Sequence, residues 1–261
     1  MNQSVLQVFA NAWPAIALSD LLRYLLAAGG LAAILALFRR PLARRKLQKP
    51  RASSADMRRE IGHSLVTVGI FSFVGFGVYL GAQAGVFRVG AMPDPGWIAL
   101  LDFALIVVAH DAWFYWIHRS MHHPKLYRRF HRVHHLSRTP TPWAAYAFAI
   151  PEAILEALFL PTYLLLFETP VVIVVAFTSH MIVRNVIGHA GTELFPRRWL
   201  DWPLLRAMTT TTHHDLHHAE FRWNYGLYFT WWDRWMGTEH PHYAARFHDS
   251  VNREQASGPA T

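Results

Sequence analysis

Residues 115–135 read YWIHRSMHHPKLYRRFHRVHH, and this stretch decides the fold. An apolar run leads into it, and six of its residues are histidines, at positions 118, 122, 123, 131, 134 and 135. A third group, HHDLHH at 213–218, completes the pattern, so that ten of the 17 histidines fall in three short groups separated by apolar segments. Imidazoles concentrated at the ends of apolar segments are the donor set of a metal centre at the edge of a membrane.

The spacing gives each group a geometry. His118 and His122 are four apart, which on a helix puts them on one face a turn apart. His131, His134 and His135 are spaced i, i+3, i+4, and His214, His217 and His218 repeat it, so each trio is expected on one helical face. His189, in NVIGH, brings the set to nine. A tetrahedral zinc takes four ligands at most, so nine imidazoles imply two metals, while imidazole alone does not choose among Zn, Cu, Fe and Ni. Asp111 and Tyr115 share the stripe of His118 and His122 and are expected to orient a ligand ring. His123 and His213 point off the stripes. His110 reads equally as a group behind the ligands or as a buried polar residue, His63 and His180 as core residues, and His240, His242 and His248 as solvent-exposed.

Outward from the histidines the chain is membrane-like. Hydrophobic residues make up 52% of its 261 positions and charged residues 16%, against about 25% charged in soluble domains. Trp13–Phe38, Ile61–Phe87 and Trp97–Ile117 are each long enough to cross a bilayer. Ile150–Ile187, broken near Glu168 and Pro170, reads as a helical hairpin whose first leg, Ala153–Phe167, is short for a crossing. Gly77, Gly81 and Gly85 form a small-residue stripe expected to let a neighbouring helix approach. Asp102, His110 and Asp111 interrupt the third span and are expected to face the bundle interior.

The net charge of +8 is concentrated in the run Arg39–Arg59, which carries nine Lys and Arg. Flanked by apolar spans, this run reads as a cytoplasmic loop rather than a nucleic-acid surface, with the N-terminus, free of Lys and Arg over its first 22 residues, outside and uncleaved. Counting spans from there brings all three histidine groups to the cytoplasmic face. Basic residues among them, Arg128, Arg129, Arg132 and Arg222, suit membrane headgroups or an acidic electron carrier. The aromatic residues between Trp223 and Trp235 read as an interfacial belt. With no Cys, any metal must rest on His and carboxylates.

The expected fold is all-α: an integral-membrane bundle of about three spans plus a hairpin, with a cytoplasmic His-rich cap holding a dimetal site. Residues 1–96 form the anchor and basic loop, 97–240 the catalytic domain and 241–261 a polar tail. The excess of Arg over Lys points to a bacterial source, hence the inner membrane.

YWIHRSMHHPKLYRRFHRVHH, then TPTPWAAYAF, then HHDLHHAEFRWNYGLYFTWWDRWMGT resemble the fatty acid hydroxylase and sterol desaturase superfamily, closest in pattern to sterol C5-desaturases. The resemblance covers about His110 to Gly237 and implies a His-ligated di-iron enzyme that uses O2 to hydroxylate or desaturate a C–H bond of a lipid, such as a sterol or a fatty acyl chain. It implies metal ligation by His118, His122, His131, His134, His135, His189, His214, His217 and His218, with iron as the native metal and zinc as an occupant of purified protein. Asn224, Tyr225 and Gly226 match the NYG of these enzymes. The chain departs from many relatives at Ala149 and Ile150, where they read HP, and at Asn185, where some carry a further His. Asn185 and Asn224 join Asp111 and Tyr115 as residues expected behind the ligands. No flavin or nicotinamide fingerprint is present, so electrons come from a separate ferredoxin, cytochrome or reductase.

Two rival readings use the same histidines. A membrane zinc hydrolase would carry HExxH, which the chain lacks, and a metal transporter or binding protein would carry its ligands along the spans rather than at their ends.

Overall fold

A computed structural model of the chain describes residues 5–91 and 96–253. Helix α1 (Val5–Tyr24) passes through a π-helical turn, Leu25–Gly29, into α2 (Gly30–Leu37); α3 (Ser54–Gln83) and α4 (Trp97–Met121) follow. Next come α5 (Pro124–Phe130), the kinked pair α6 (Ile150–Ala157) and α7 (Phe159–Leu166), and α8 (Val171–Gly188). The remaining elements are short: α9 (Pro203–Arg206), α10 (Thr211–Glu220), α11 (Trp231–Trp235) and α12 (Tyr243–Asn252).

Four segments, Gln7–Leu37, Ser54–Gln83, Trp97–Met121 and Val171–Gly188, are long and apolar enough to cross a membrane. Their outward faces expose Leu26, Leu37, Leu100, Leu101 and Val171, each by more than half. Lipid is the medium that suits such faces, and the chain is a multi-pass, mostly helical membrane protein. On α4 the inward face repeats with helical period, Ile106, His110, Phe114 and His118 on one line and Val107, Asp111 and Tyr115 beside it, all buried. His110 and Asp111 thus face the interior as their cost in lipid requires, whereas Asp102 is only half-buried.

The hairpin reaches further than its first leg suggested. Two short strands, β1 (Val89–Gly90) after α3 and β2 (Thr169–Pro170) before α8, pair in parallel, and Arg88 N–H donates to the Leu164 carbonyl at 2.9 Å. The hairpin tip therefore lies at the end of the bundle where α3 finishes. At the opposite end the basic loop is tied to the polar cap: Leu47 N–H donates to Gly191 O, Glu193 N–H to Arg45 O, and Gln48 Nε2 to Asp215 Oδ1.

The glycine stripe works differently from its spacing. The close approach to α1 is at Gly75, where a Cβ would lie 3.2 Å from Ile16. Gly81 instead admits the Phe87 ring, and Gly85, with φ of 72°, follows the end of α3 in the left-handed conformation that glycine adopts freely. The segment expected as a polar tail contains α12, whose Tyr243, Phe247 and Val251 pack on Leu216 of α10 and Leu200.

Candidate metal centre

Nine of the eleven histidines of the three groups and NVIGH gather into two clusters, all nine buried except the half-buried His122. His118, His122, His131, His135 and His217 form one, and His134, His189, His214 and His218 the other; within each, one ring nitrogen per residue lies within 4.8 Å of all the others. In the first, Nε2 of His118 is 2.9 Å from that of His131, His122 is 3.1 Å from His135, and His135 is 3.0 Å from His217. In the second, Nε2 of His189 lies 3.2, 3.1 and 3.1 Å from those of His134, His214 and His218. The clusters share a wall, with the His135 and His218 ring centroids 4.8 Å apart.

The spacing rule for the trios gives way here. Helix α5 ends at Phe130, His131 is its cap, and His134 and His135 begin a separate 3₁₀ turn. A sharp turn lets consecutive residues diverge, so His134 enters one cluster and His135 the other. On α10, which is a regular helix, His214 and His218 lie a turn apart and enter one cluster while His217 enters the other. Gly188 makes the approach of α10 to α8 possible, since a Cβ there would be 3.3 Å from the His214 ring.

The tautomers are set from behind. His118 Nδ1 donates to the Tyr225 carbonyl at 2.9 Å, His217 Nδ1 to the Trp223 carbonyl at 2.7 Å and His189 Nδ1 to the Asn185 carbonyl at 2.7 Å. A carbonyl only accepts, so in each neutral ring the proton is on Nδ1 and Nε2 presents a lone pair to the cluster. His131 Nδ1 lies 2.6 Å from Glu152 Oε1 and donates to it when the carboxyl is ionised, with the same result. Burial pushes the imidazoles down, His189 to about 4 and, with the added repulsion of His118, His122 to about 2. Burial and the neighbouring rings hold His131, His134, His135, His214, His217 and His218 well below the ordinary histidine range.

Lone pairs facing each other near 3 Å cannot hydrogen bond to each other, but they can share a cation. Two nitrogens bound to one ion at about 2.1 Å and about 90° are about 3.0 Å apart, which is the spacing observed. The five-imidazole cluster exceeds the four positions of tetrahedral zinc and fits a metal of higher coordination number.

The other residues expected behind the ligands have different partners. Asp111 touches no histidine of either cluster; its Oδ1 accepts from the backbone N–H groups of Tyr228 and Phe229, and its Oδ2 from Trp231 Nε1. Tyr115 bonds Thr238 and Arg119. The Asn185 side chain donates to Ala145 O, and it is the Asn185 backbone that holds His189. Asn224 donates to His213 O and accepts from His240 N–H, thereby fixing the backbone next to His214.

The NYG turn has a steric logic. Asn224, with φ of 59°, occupies the left-handed region that Asn tolerates; Tyr225 supplies the carbonyl for His118; and a Cβ on Gly226 would meet Phe229 O at 2.4 Å. Asp233 clamps the turn by accepting from Tyr225 N–H and Gly226 N–H at 2.8 and 2.9 Å.

His123 caps α5 by accepting from Lys125 N–H, and His213 is buried outside both clusters. His110 donates to or accepts from the Tyr228 hydroxyl at 2.9 Å. His240, expected in solvent, is buried with its ring 3.1 Å from the Glu220 carboxylate, because α12 folds back over α10. Glu152 escaped the sequence reading; its one local signal was a pair of acids, Glu152 and Glu156, four apart in an apolar run.

Residues 103–238 match the sequence profile of the family described as fatty acid hydroxylase. A Delta(7)-sterol 5(6)-desaturase of Gibberella zeae is 31% identical over 199 residues, 75% of this chain and 59% of the relative. The lathosterol oxidase of Mus musculus is 35% identical over 158 residues, 59% of this chain and 50% of its own length. Methylsterol monooxygenase 1 of Rattus norvegicus is 33% identical over 152 residues, 58% of this chain and 50% of its own. The matches span between half and three fifths of these relatives. No solved structure matches.

Proposed function

Because this chain belongs to the fatty acid hydroxylase family, we propose that it is a membrane-embedded, O2-dependent oxidoreductase that hydroxylates or desaturates a C–H bond of a lipid. The observation that carries the reading is the convergence of nine inward-facing imidazoles into two adjoining buried clusters. His118, His122, His131, His135 and His217 would hold one ion, and His134, His189, His214 and His218 the other. Iron is the assigned metal, since a redox ion is what oxidation of an unactivated carbon demands, and two irons supply the O2 chemistry when bound.

The chain's own residues orient and shield. The carbonyls of Tyr225, Trp223 and Asn185 and the carboxylate of Glu152 fix four rings with Nε2 inward. Near-complete burial of both clusters excludes bulk water from the reacting carbon. The relatives named for sterol substrates support a sterol or a lipid of similar bulk. The basic loop tied to the segments that carry His189 and His214 supports a cytoplasmic metal site, the excess of Arg over Lys supports a bacterial inner membrane, and Arg128, Arg129, Arg132 and Arg222 suit a separate acidic electron donor.

Elemental analysis of detergent-purified protein tests the reading, together with lipid profiles of cells with and without the gene. Two irons per chain and an O2-dependent change in one lipid class are expected. One zinc per chain with no O2-dependent product overturns it.

A further inference from the structure

A cavity of about 640 Å³ lies between α1, α3, α4, α6, α7 and α8, within the roughly 300–1,000 Å³ range of pockets that enclose one small molecule. Its walls are almost wholly apolar, from Val68, Phe71, Leu160, Leu164 and Phe177 among others. The charged and imidazole groups of its wall other than Glu156 are already engaged. Asp20 and Arg23 pair with each other, and His110 is bonded to Tyr228. Glu156 is different: it lines the cavity, is 9% exposed, and its buried Oε1 has no hydrogen-bond partner.

A buried carboxyl without a partner costs stability, and a native structure that keeps one has a use for it. We propose that Glu156 binds the hydroxyl group of an uncharged, single-headed lipid whose apolar body fills this cavity. A hydroxyl satisfies both states of the carboxyl, donating to it when ionised and accepting from it when protonated. A phosphate or carboxylate headgroup would meet Glu156 and Asp20 as like charges, with Arg23 already paired.

The position of Glu156 adds where the lipid reacts. Glu152 and Glu156 share one face of α6, roughly 6 Å apart along its axis, and Glu152 accepts from His131 of the five-imidazole cluster. Tyr146, also in the cavity wall, meets Phe148 in a tilted ring contact, and Phe148 meets His134 of the other cluster likewise, with centroids 6.1 and 5.3 Å apart. Glu156 therefore lies toward the end of the cavity that adjoins the clusters, and oxidation falls on carbons near the hydroxyl rather than at the far tip of the lipid. This last step rests on the proposed oxidase reading; the hydroxyl site does not.

The test is binding of paired probes to the full chain in nanodiscs: lathosterol and its methyl ether, and octadecanol and its methyl ether. Wild type is expected to bind at least one alcohol about tenfold tighter than its ether. Glu156→Leu should erase the difference, and Glu156→Gln, which still bonds a hydroxyl, should keep most of it. Because the carboxyl has no protein partner, Glu156→Leu should melt at or above the wild-type temperature, so loss of discrimination will not reflect unfolding. Equal binding within each pair, no binding of any probe, or discrimination that survives Glu156→Leu overturns the proposal. A chain that prefers the alcohol yet holds no iron keeps the Glu156 site and loses the oxidase reading; an iron-loaded chain that oxidises lipid but ignores the hydroxyl does the reverse.

Discussion

His134 and His135 are adjacent in the chain and belong to different clusters, His134 with its Nε2 3.2 Å from that of His189 and His135 with its own 3.0 Å from that of His217. The 3₁₀ turn that begins at His134 is the hinge on which both halves of the centre hang. Single replacements should therefore separate them. His134→Ala, which leaves three imidazoles in its cluster, is expected to lower the metal content of purified protein from two ions toward one, and His135→Ala, which leaves four, to weaken retention of the other ion against a chelator, with turnover lost in both. Two ions held as tightly as in wild type in both variants would show that the clusters are not the metal sites.

Glu152 acts on the metal through His131. Glu152→Ala frees the His131 ring to turn and should weaken metal retention by about 10–100-fold, measured by competition with a chelator. Glu152→Gln keeps an acceptor for Nδ1–H and is expected to recover most of the affinity. Equal losses for Ala and Gln would point to charge rather than orientation as its contribution.

Asp111 holds the chain, not the metal. Asp111→Ala strands the backbone donors of Tyr228 and Phe229 and the Trp231 indole, which should cost about 3 kcal/mol and lower the melting temperature in detergent. The fraction that folds should carry its full metal load. A drop in metal affinity without a drop in melting temperature would restore the role its place on the histidine stripe suggested.

Metal-free protein should be sensitive to mild acid. The folded pKa of His189 is about 4 and that of His122 about 2, and the other cluster histidines outside the spans are also depressed, whereas in the unfolded chain they return to about 6.5. Between those limits the unfolded state binds more protons, so stability is fully present above about 6.5 and falls as pH drops toward 4. Thermal melts of chelated protein at pH 7.5 and 5.0 should show this, and iron loading should reduce the difference. A pH-independent melt would contradict neutral, buried rings.

Sidedness follows from labelling, since the chain has no cysteine of its own. Arg51→Cys, in the basic loop, should react with an impermeant maleimide only in inverted vesicles, and Val86→Cys, exposed at the opposite end of the bundle, only in right-side-out cells. The reverse result would place the histidine clusters outside.

Hydropathy and histidine spacing are local properties, so the sequence by itself determined the membrane-length apolar helices, the inward placement of His110 and Asp111, and the nine imidazoles that the tertiary structure gathers. It could not determine how those nine divide. His131, His134 and His135 have helical spacing, yet a cap and a turn intervene, and only packing against α8 and α10 sends His134 one way and His135 the other. Nor could it show what holds the rings. Three of the four Nδ1 acceptors are backbone carbonyls, which every residue possesses and no motif marks, and the fourth, Glu152, lies 21 residues beyond His131 and meets it only when α6 packs beside the end of α5. The donor atoms are written in the chain; their directions come from contacts between segments distant in it, because a ring's orientation is set by whatever reaches its far nitrogen.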